Sequence, residues 1–386
     1  MVKAAALLVS FAATIKSLWY GGSPFAGFTA LWPTDADGKW SIQAEGIRLV
    51  FTNANGGAPT NLFINDTNGN EIDLILGLDN PKEYANYLGQ LGGTIGRMAG
   101  HISNASFVIN DKKYHTSANG NNGTSTYNGG VGGWERTTFD VGSRTSNSIT
   151  FVVFDRAGKN GFPGNSGSAL THSVYPYEWR ISYGVTPTRT SDPVPINLSH
   201  KTFWNLDGFR EGSETIKEHR LHLPFSGLRL EEDQDQIPTG NIKGNKKDSE
   251  YDFWSLPRSL DVGLARKGSY DDLFLVNRHQ PWEMDSNPVA SLSSVKSGIT
   301  LNMYTDQAAV RLVTWDKPYS NLALKAAQGG AKVGKNAAIS MQMMDWPDAL
   351  HHPEWQRESH ILYGPDRMMT SVSKFKFSVK GRTSCH

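Results

Sequence analysis

A histidine and a lysine stand side by side, His200 and Lys201, in the stretch Asn197-Leu198-Ser199-His200-Lys201-Thr202-Phe203-Trp204-Asn205-Leu206. A lysine whose pKa is lowered by burial can act as a proton donor near neutral pH. The flanking apolar, aromatic and β-branched residues predict a strand. A strand with a His-Lys pair between large aromatics can form the floor of a polar pocket. The plain alternative is an exposed edge strand whose charge is solvated. Strand neighbours face opposite sides, so His200 can replace Lys201 only after a one-residue register slip. Arg97 lies in the glycine-rich run from Gly92 to Gly100 and is the residue there able to bind a polar ligand. That run lacks the Gly-Lys-Ser/Thr ending of a phosphate cradle. Its glycines are expected to permit a bulge or a close backbone approach. Trp134, Trp204 and Trp346 offer stacking surfaces for a sugar or another ring, against the plainer expectation that each is core. His219 and His222 have a metal-ligand spacing, but residues three apart in a strand face opposite sides, so no metal site is expected.

The elements that must hold these residues are strands. The chain has 386 residues, with 39 Gly, 11 Trp, 13 Tyr and 17 Phe, and shows no long Leu/Ala/Glu/Lys run. That composition favours strands and tight turns. Strands are expected at Trp40 to Ala44, Ile47 to Phe51, Thr60 to Ile64, Ile72 to Leu76, Ser148 to Asp155, Glu178 to Val185 and Val372 to Val379. A hairpin with an Asn-Asp turn is expected between Ser106 and Tyr114. Helical segments are expected only near Pro81 to Leu88 and Leu350 to Trp355. The turn signals recur about every 8–12 residues, the mark of an antiparallel sandwich. Two loops stand out, an Asn/Gly-rich one from Asn119 to Gly133 and another from Gly158 to Gly167. The first is long enough to expect that it is either functional or disordered.

Several motifs in order resemble the galactose mutarotase (aldose 1-epimerase) family. The stretch around Lys201 resembles the family's Asn-Leu-Thr-Asn-His-Ser-Tyr-Phe-Asn-Leu strand. Tyr127-Asn128-Gly129-Gly130 resembles Leu-His-Gly-Gly, and Gln236 to Gly240 contains Ile-Pro-Thr-Gly. Tyr251-Asp252-Phe253 carries the family's Asp-Phe. Tyr270-Asp271-Asp272-Leu273-Phe274 resembles Tyr-Asp-His-Cys/Phe-Phe, and Met341 to Ala349 resembles Glu-Thr-Gln-x-Phe-Pro-Asp-Ala. The resemblance runs from about Arg97 to Ala349. It implies an all-β fold, a large antiparallel β-sandwich of the galactose mutarotase type, with residues 23–386 as one domain.

The resemblance also implies site residues. The family's catalytic acid, a His, falls on Lys201, and its catalytic base, a Glu, falls on Gln342. Its supporting His falls on Asn128. A Gly-Arg contact to the sugar falls on Arg97, and the acid that holds sugar hydroxyls falls on Asp271. Gln342 accepts a hydrogen bond but cannot take a proton, and Asn128 cannot carry one. Asp271, Asp345 and Asp348 are the candidates for a displaced base, with Asp271 preferred. The catalytic set is therefore Lys201, Gln342 and Asp271. Substrate binding falls to Arg97, Asn128, His200, Asp271 and Trp204.

The activity implied is interconversion of the anomers of a sugar, or a related hemiacetal ring-opening step in natural-product metabolism, by proton transfer. The alternative is a non-catalytic carbohydrate-binding protein on the same fold. No cofactor or metal is expected, and the partner is a small-molecule substrate, a sugar or cyclic hemiacetal. The net charge of +1 gives no electrostatic case for nucleic acid or an anionic membrane. A monomer is expected. Met1 to about residue 22 resembles a secretory signal, with a basic start and an apolar run too short to span a bilayer. It predicts secretion, the alternative being an N-terminal extension of a cytoplasmic protein. Sequons stand at Asn65, Asn104, Asn122 and Asn197. The single cysteine, Cys385, allows no intrachain disulfide.

Overall fold

The structure, a computed structural model, describes residues 31–35, 37–87, 91–188, 192–278, 284–316, 322–364 and 366–381. The N-terminal segment read as a signal and Cys385 lie outside the described residues.

Two large antiparallel sheets pack around one core, as the turn spacing predicts. The nine-stranded sheet runs in the order Asp140–Arg144, Ser148–Asp155, Asn165–Tyr175, Glu178–Thr188, Met369–Val379, Ile299–Thr305, Ala290–Ser293, Arg220–His222 and Arg258–Ser259. The six-stranded sheet runs Phe203–Trp204, Ile339–Met344, Ala309–Thr314, Asp271–Leu275, Leu228–Glu232 and Pro238–Gly244. A four-stranded sheet, Trp40–Ala44, Ile47–Phe51, Pro59–Asn65 and Glu71–Asp73, adds to the same core. Among the described residues the longest α-helix is Leu260–Lys267.

Side-chain alternation explains which face is buried. In Ile299–Thr305 the buried residues are Ile299, Leu301, Met303 and Thr305. In Glu178–Thr188, Trp179, Ile181, Tyr183 and Val185 point into the core. Trp179 stacks on Phe375 with ring centres 4.6 Å apart, and Trp204 from the other sheet packs 5.8 Å from Phe375. These contacts join the two layers.

The six-stranded sheet has two differently used faces. Ile339, Met341, Met343, Val310, Leu312 and Phe274 belong to the main core. The alternate residues, Gln342, Arg311 and Asp271, therefore share the opposite face.

Several expectations are refined. The Ser106-to-Tyr114 hairpin is present as Ser106–Ile109 and Lys112–His115, with Asn110 and Asp111 both at positive φ. The expected helices are short 3₁₀ turns, Pro81–Tyr87, Ala349–His351 and Pro353–Trp355. The stretch from Gly158 to Gly167 is only partly loop, because strand Asn165–Tyr175 begins inside it. Its Ser, Gly, Ala and Thr content gives a weak strand signal, and eleven paired positions with Glu178–Thr188 override it.

Candidate active site

The lysine stretch is buried, not an exposed edge. It divides at Thr202: Ser199–Lys201 pairs with Gly93–Ile95, and Phe203–Trp204 pairs with Ser340 and Ile339. Continuing the Phe203↔Ser340 register by two residues sets Lys201 beside Gln342. Gln342 in turn pairs with Arg311, and Arg311 with Leu273, two residues from Asp271. One sheet face thus gathers Lys201, Gln342, Arg311 and Asp271. Glycine makes the pairing with Lys201 feasible, since Gly93 has φ +118° and a Cβ there would sit 1.8 Å from the Asn55 carbonyl oxygen. The expected close backbone approach in the glycine-rich run is this one.

Lys201 donates from Nζ to Glu135 Oε2 at 3.0 Å, with both side chains nearly inaccessible. Burial pulls the lysine pKa down, but Glu135, Tyr127 and Asp271 outweigh it, and the net direction is up. The expectation that burial lowers it is therefore reversed, and Lys201 is a cation at neutral pH. The other Glu135 oxygen, Oε1, accepts from Asn128 Nδ2 at 2.9 Å. Asn128 Oδ1 accepts from the Gly100 N–H at 3.0 Å. Asn128 is thus joined to Lys201 through a carboxylate.

Asp271 is engaged on both oxygens. Oδ1 accepts from Arg311 Nε at 2.6 Å and Oδ2 from Gln236 Nε2 at 2.6 Å. Arg311 also donates from Nη1 to Glu232 Oε1 at 2.8 Å. Burial would weaken the guanidinium's hold on its proton, yet Asp271 and Glu232 hold it firmly charged. Burial, against the pull of Arg311, raises the Glu232 pKa. His101 completes the wall: Nδ1 meets Ser125 Oγ at 3.0 Å and the ring lies 4.5 Å from that of Tyr127. Burial and the nearby Arg311 lower its pKa to about 4, so His101 is neutral at pH 7.

Three expected binding residues lie elsewhere. His200 points into the core, with its ring 5.5 Å from His172 and 5.5 Å from Trp179, and burial lowers its pKa to about 3. Strand alternation puts it on the face opposite Lys201. Trp204 is fully buried among Trp179, Phe375 and Phe377 and presents no stacking surface. Arg97 is 1% exposed and committed to structure. Its Nε donates to Asp155 Oδ2 at 3.2 Å and its Nη1 to the Pro163 carbonyl at 2.6 Å. Trp134 is also core, with Nε1 donating to Asp155 Oδ2 at 3.1 Å. Trp346 is half-buried, 5.3 Å from Trp355 in an edge-to-face pair. Of the other candidate bases, Asp345 pairs with Arg357 and Asp348 with His351.

Glu135, Arg311, Glu232 and His101 escaped the sequence reading. A usable signal existed for Arg311, the lone charge in the apolar strand Ala309–Thr314. Glu135 carried almost none, because its partners Asn128 and Lys201 are distant or loop-borne. Among the described residues no group of three or more His, Cys, Asp or Glu could hold a metal ion.

Comparison with known proteins shows the family and the fold. The family model described as aldose 1-epimerase matches residues 39–375. The chain is 46% identical to Epimerase FSL3 of Gibberella zeae, over 97% of this chain and 92% of that one. It is 27% identical to a probable aldose 1-epimerase of Arthroderma benhamiae, over 85% of this chain and 83% of that one. The solved GalM/aldose epimerase homologue from C. elegans has a TM-score of 0.76 at 24% identity, covering 89% of this chain and 99% of that one, and so shares the fold.

Proposed function

The chain belongs to the aldose 1-epimerase family, and on that premise we propose that it is an isomerase that inverts a hemiacetal carbon by opening and reclosing a ring. The observation that carries this reading is Lys201, held as a buried cation by Glu135 on the same sheet face as Asp271. Lys201 donates its proton to the ring oxygen. Asp271 takes the proton of the hemiacetal hydroxyl; a carboxylate has about four lone-pair positions, and Arg311 and Gln236 use two of them. The ring C–O bond breaks with its electron pair going to the ring oxygen. The carbonyl rotates, and the reverse transfers close the ring on its other face. An alkoxide leaving group is more basic than an amine, so a lysine with a raised pKa can still protonate it. Each positioned proton transfer contributes about 10²–10⁴-fold. Gln342 orients a substrate oxygen by hydrogen bonding and takes no proton. The substrate is a sugar or another cyclic hemiacetal.

A second reading, non-catalytic carbohydrate binding, is favoured by Gln342, which stands where the family resemblance places a glutamate. Anomer exchange by NMR separates the two, using galactose, glucose and the simple lactol 2-hydroxytetrahydropyran. The wild-type protein is expected to accelerate at least one of them, and Lys201→Met to reduce that rate by about 10²-fold. Tight binding with exchange no faster than in buffer would establish the second reading. A Lys201→His, Gln342→Glu double variant is expected to exchange the simple lactol.

A further inference from the structure

We propose that Arg311 is a specificity-determining residue that closes this site to hydroxyl-rich sugars, so that its substrate is a cyclic hemiacetal with few hydroxyls. The inference rests on reading the site as one for a hemiacetal.

A hexose needs a hydrogen-bonding partner for each hydroxyl it brings out of water. In a buried site every hydroxyl left without one weakens binding by about tenfold. Acceptors are what hydroxyl protons require, and here each carboxylate already accepts from a neighbouring side chain. Both oxygens of Asp271 are bonded, by Arg311 and Gln236. Both oxygens of Glu135 are bonded, by Asn128 and Lys201. Asn128 is used at its carbonyl as well as its amide. Glu232 gives one oxygen to Arg311. Asp271 therefore suits one reacting hydroxyl, not an array of them.

Arg311 is the cause of this closure at Asp271 and Glu232. Its guanidinium lies between Asp271 and Glu232 and ties two carboxylates at once. Arg311 is 3% exposed and Glu232 is nearly as buried, so water screens that pair little, while Asp271 keeps an edge open to solvent. Beyond Arg311 the same face is closed by protein: Leu273, Leu275, Ala309 and Met344 are buried in a cluster with half-buried Trp346 against them, and they offer no further acceptor for a hydroxyl.

The test compares two unreactive analogues by saturation-transfer NMR, 2-methoxytetrahydropyran and methyl β-galactoside, on the whole protein. The wild type is expected to bind the tetrahydropyran at least about tenfold more tightly, and Arg311→Gln to bring the two within a few-fold by improving the galactoside. Equal binding, preference for the galactoside, or binding of neither by the wild type overturns the proposal. Persistence of the preference in Arg311→Gln overturns the assignment to Arg311. Should that variant not fold, Arg311→Met with Glu232→Gln removes the buried pair together and is read the same way. Exchange of 2-hydroxytetrahydropyran is measured alongside. Preferential binding without any acceleration of exchange would sink the isomerase reading and leave this proposal standing.

Discussion

At the residue scale, the Lys201–Glu135 pair ties stability to chemistry, and the two can be separated. Removing one partner of a buried pair leaves an uncompensated charge, which costs about 3–5 kcal/mol. Lys201→Met is therefore expected to lose about that much in urea unfolding as well as its activity. Lys201→Met with Glu135→Gln removes both charges and should recover most of the stability but none of the exchange rate. Recovery of activity in the double variant would show that Lys201 is only structural. Arg97 gives the opposite case. Its guanidinium is engaged by Asp155 and the Pro163 carbonyl, so Arg97→Met should cost about 3–5 kcal/mol in unfolding. The folded fraction should keep its KM; a large KM increase at unchanged stability would place Arg97 against the substrate after all.

At the element scale, the site depends on the short ribbon of Gly93–Ile95 and Ser199–Lys201. Gly93 lies opposite Lys201, and a methyl group there collides with the Asn55 carbonyl oxygen. Gly93→Ala is expected to destabilise by about 2 kcal/mol or more, through both the positive φ and the collision. The displaced strand carries Lys201 with it, so the exchange rate should fall even under conditions where the variant is folded. An unchanged unfolding midpoint, with activity intact, would mean the ribbon does not set the lysine's position.

At the scale of the whole molecule, buried histidines set the acid limit. Burial lowers His200 to about 3, and burial outweighs Asp207 to lower His219 to about 4. His101 is lowered to about 4 by burial and Arg311. An unfolded histidine binds its proton near pH 6.5. Between that pH and the folded value the unfolded state holds more protons, so stability rises with pH. It is fully present above about pH 6.5 and is lost as the pH falls toward 4. The midpoint of urea unfolding should drop steadily across that window. His200→Phe, which keeps an aromatic ring beside Trp179, should flatten the slope by about 3–5 kcal/mol between the two limits. An unaltered slope would mean that His200 is protonated in the folded protein.

The sequence by itself determined the fold class and several of its strands, though not Asn165–Tyr175. Alternation and turn residues are local signals, so Trp40–Ala44, Ile47–Phe51 and Ser148–Asp155 were legible to the residue. Ordered motifs also brought out Lys201, Gln342, Asp271 and Asn128, which the structure gathers at one site. The tertiary structure alone decided the direction in which each side chain works. His200 and Lys201 are neighbours, yet the strand's two-residue period sends one into the core and the other into the site. Arg97 resembled a ligand contact until its partner Asp155, 58 residues away, took it into a buried pair. Glu135 and Arg311 became visible only through their partners, because a charge's role is set by what lies within a few ångströms of it. Those distances come from strand register and sheet packing, which no local pattern in the chain spells out.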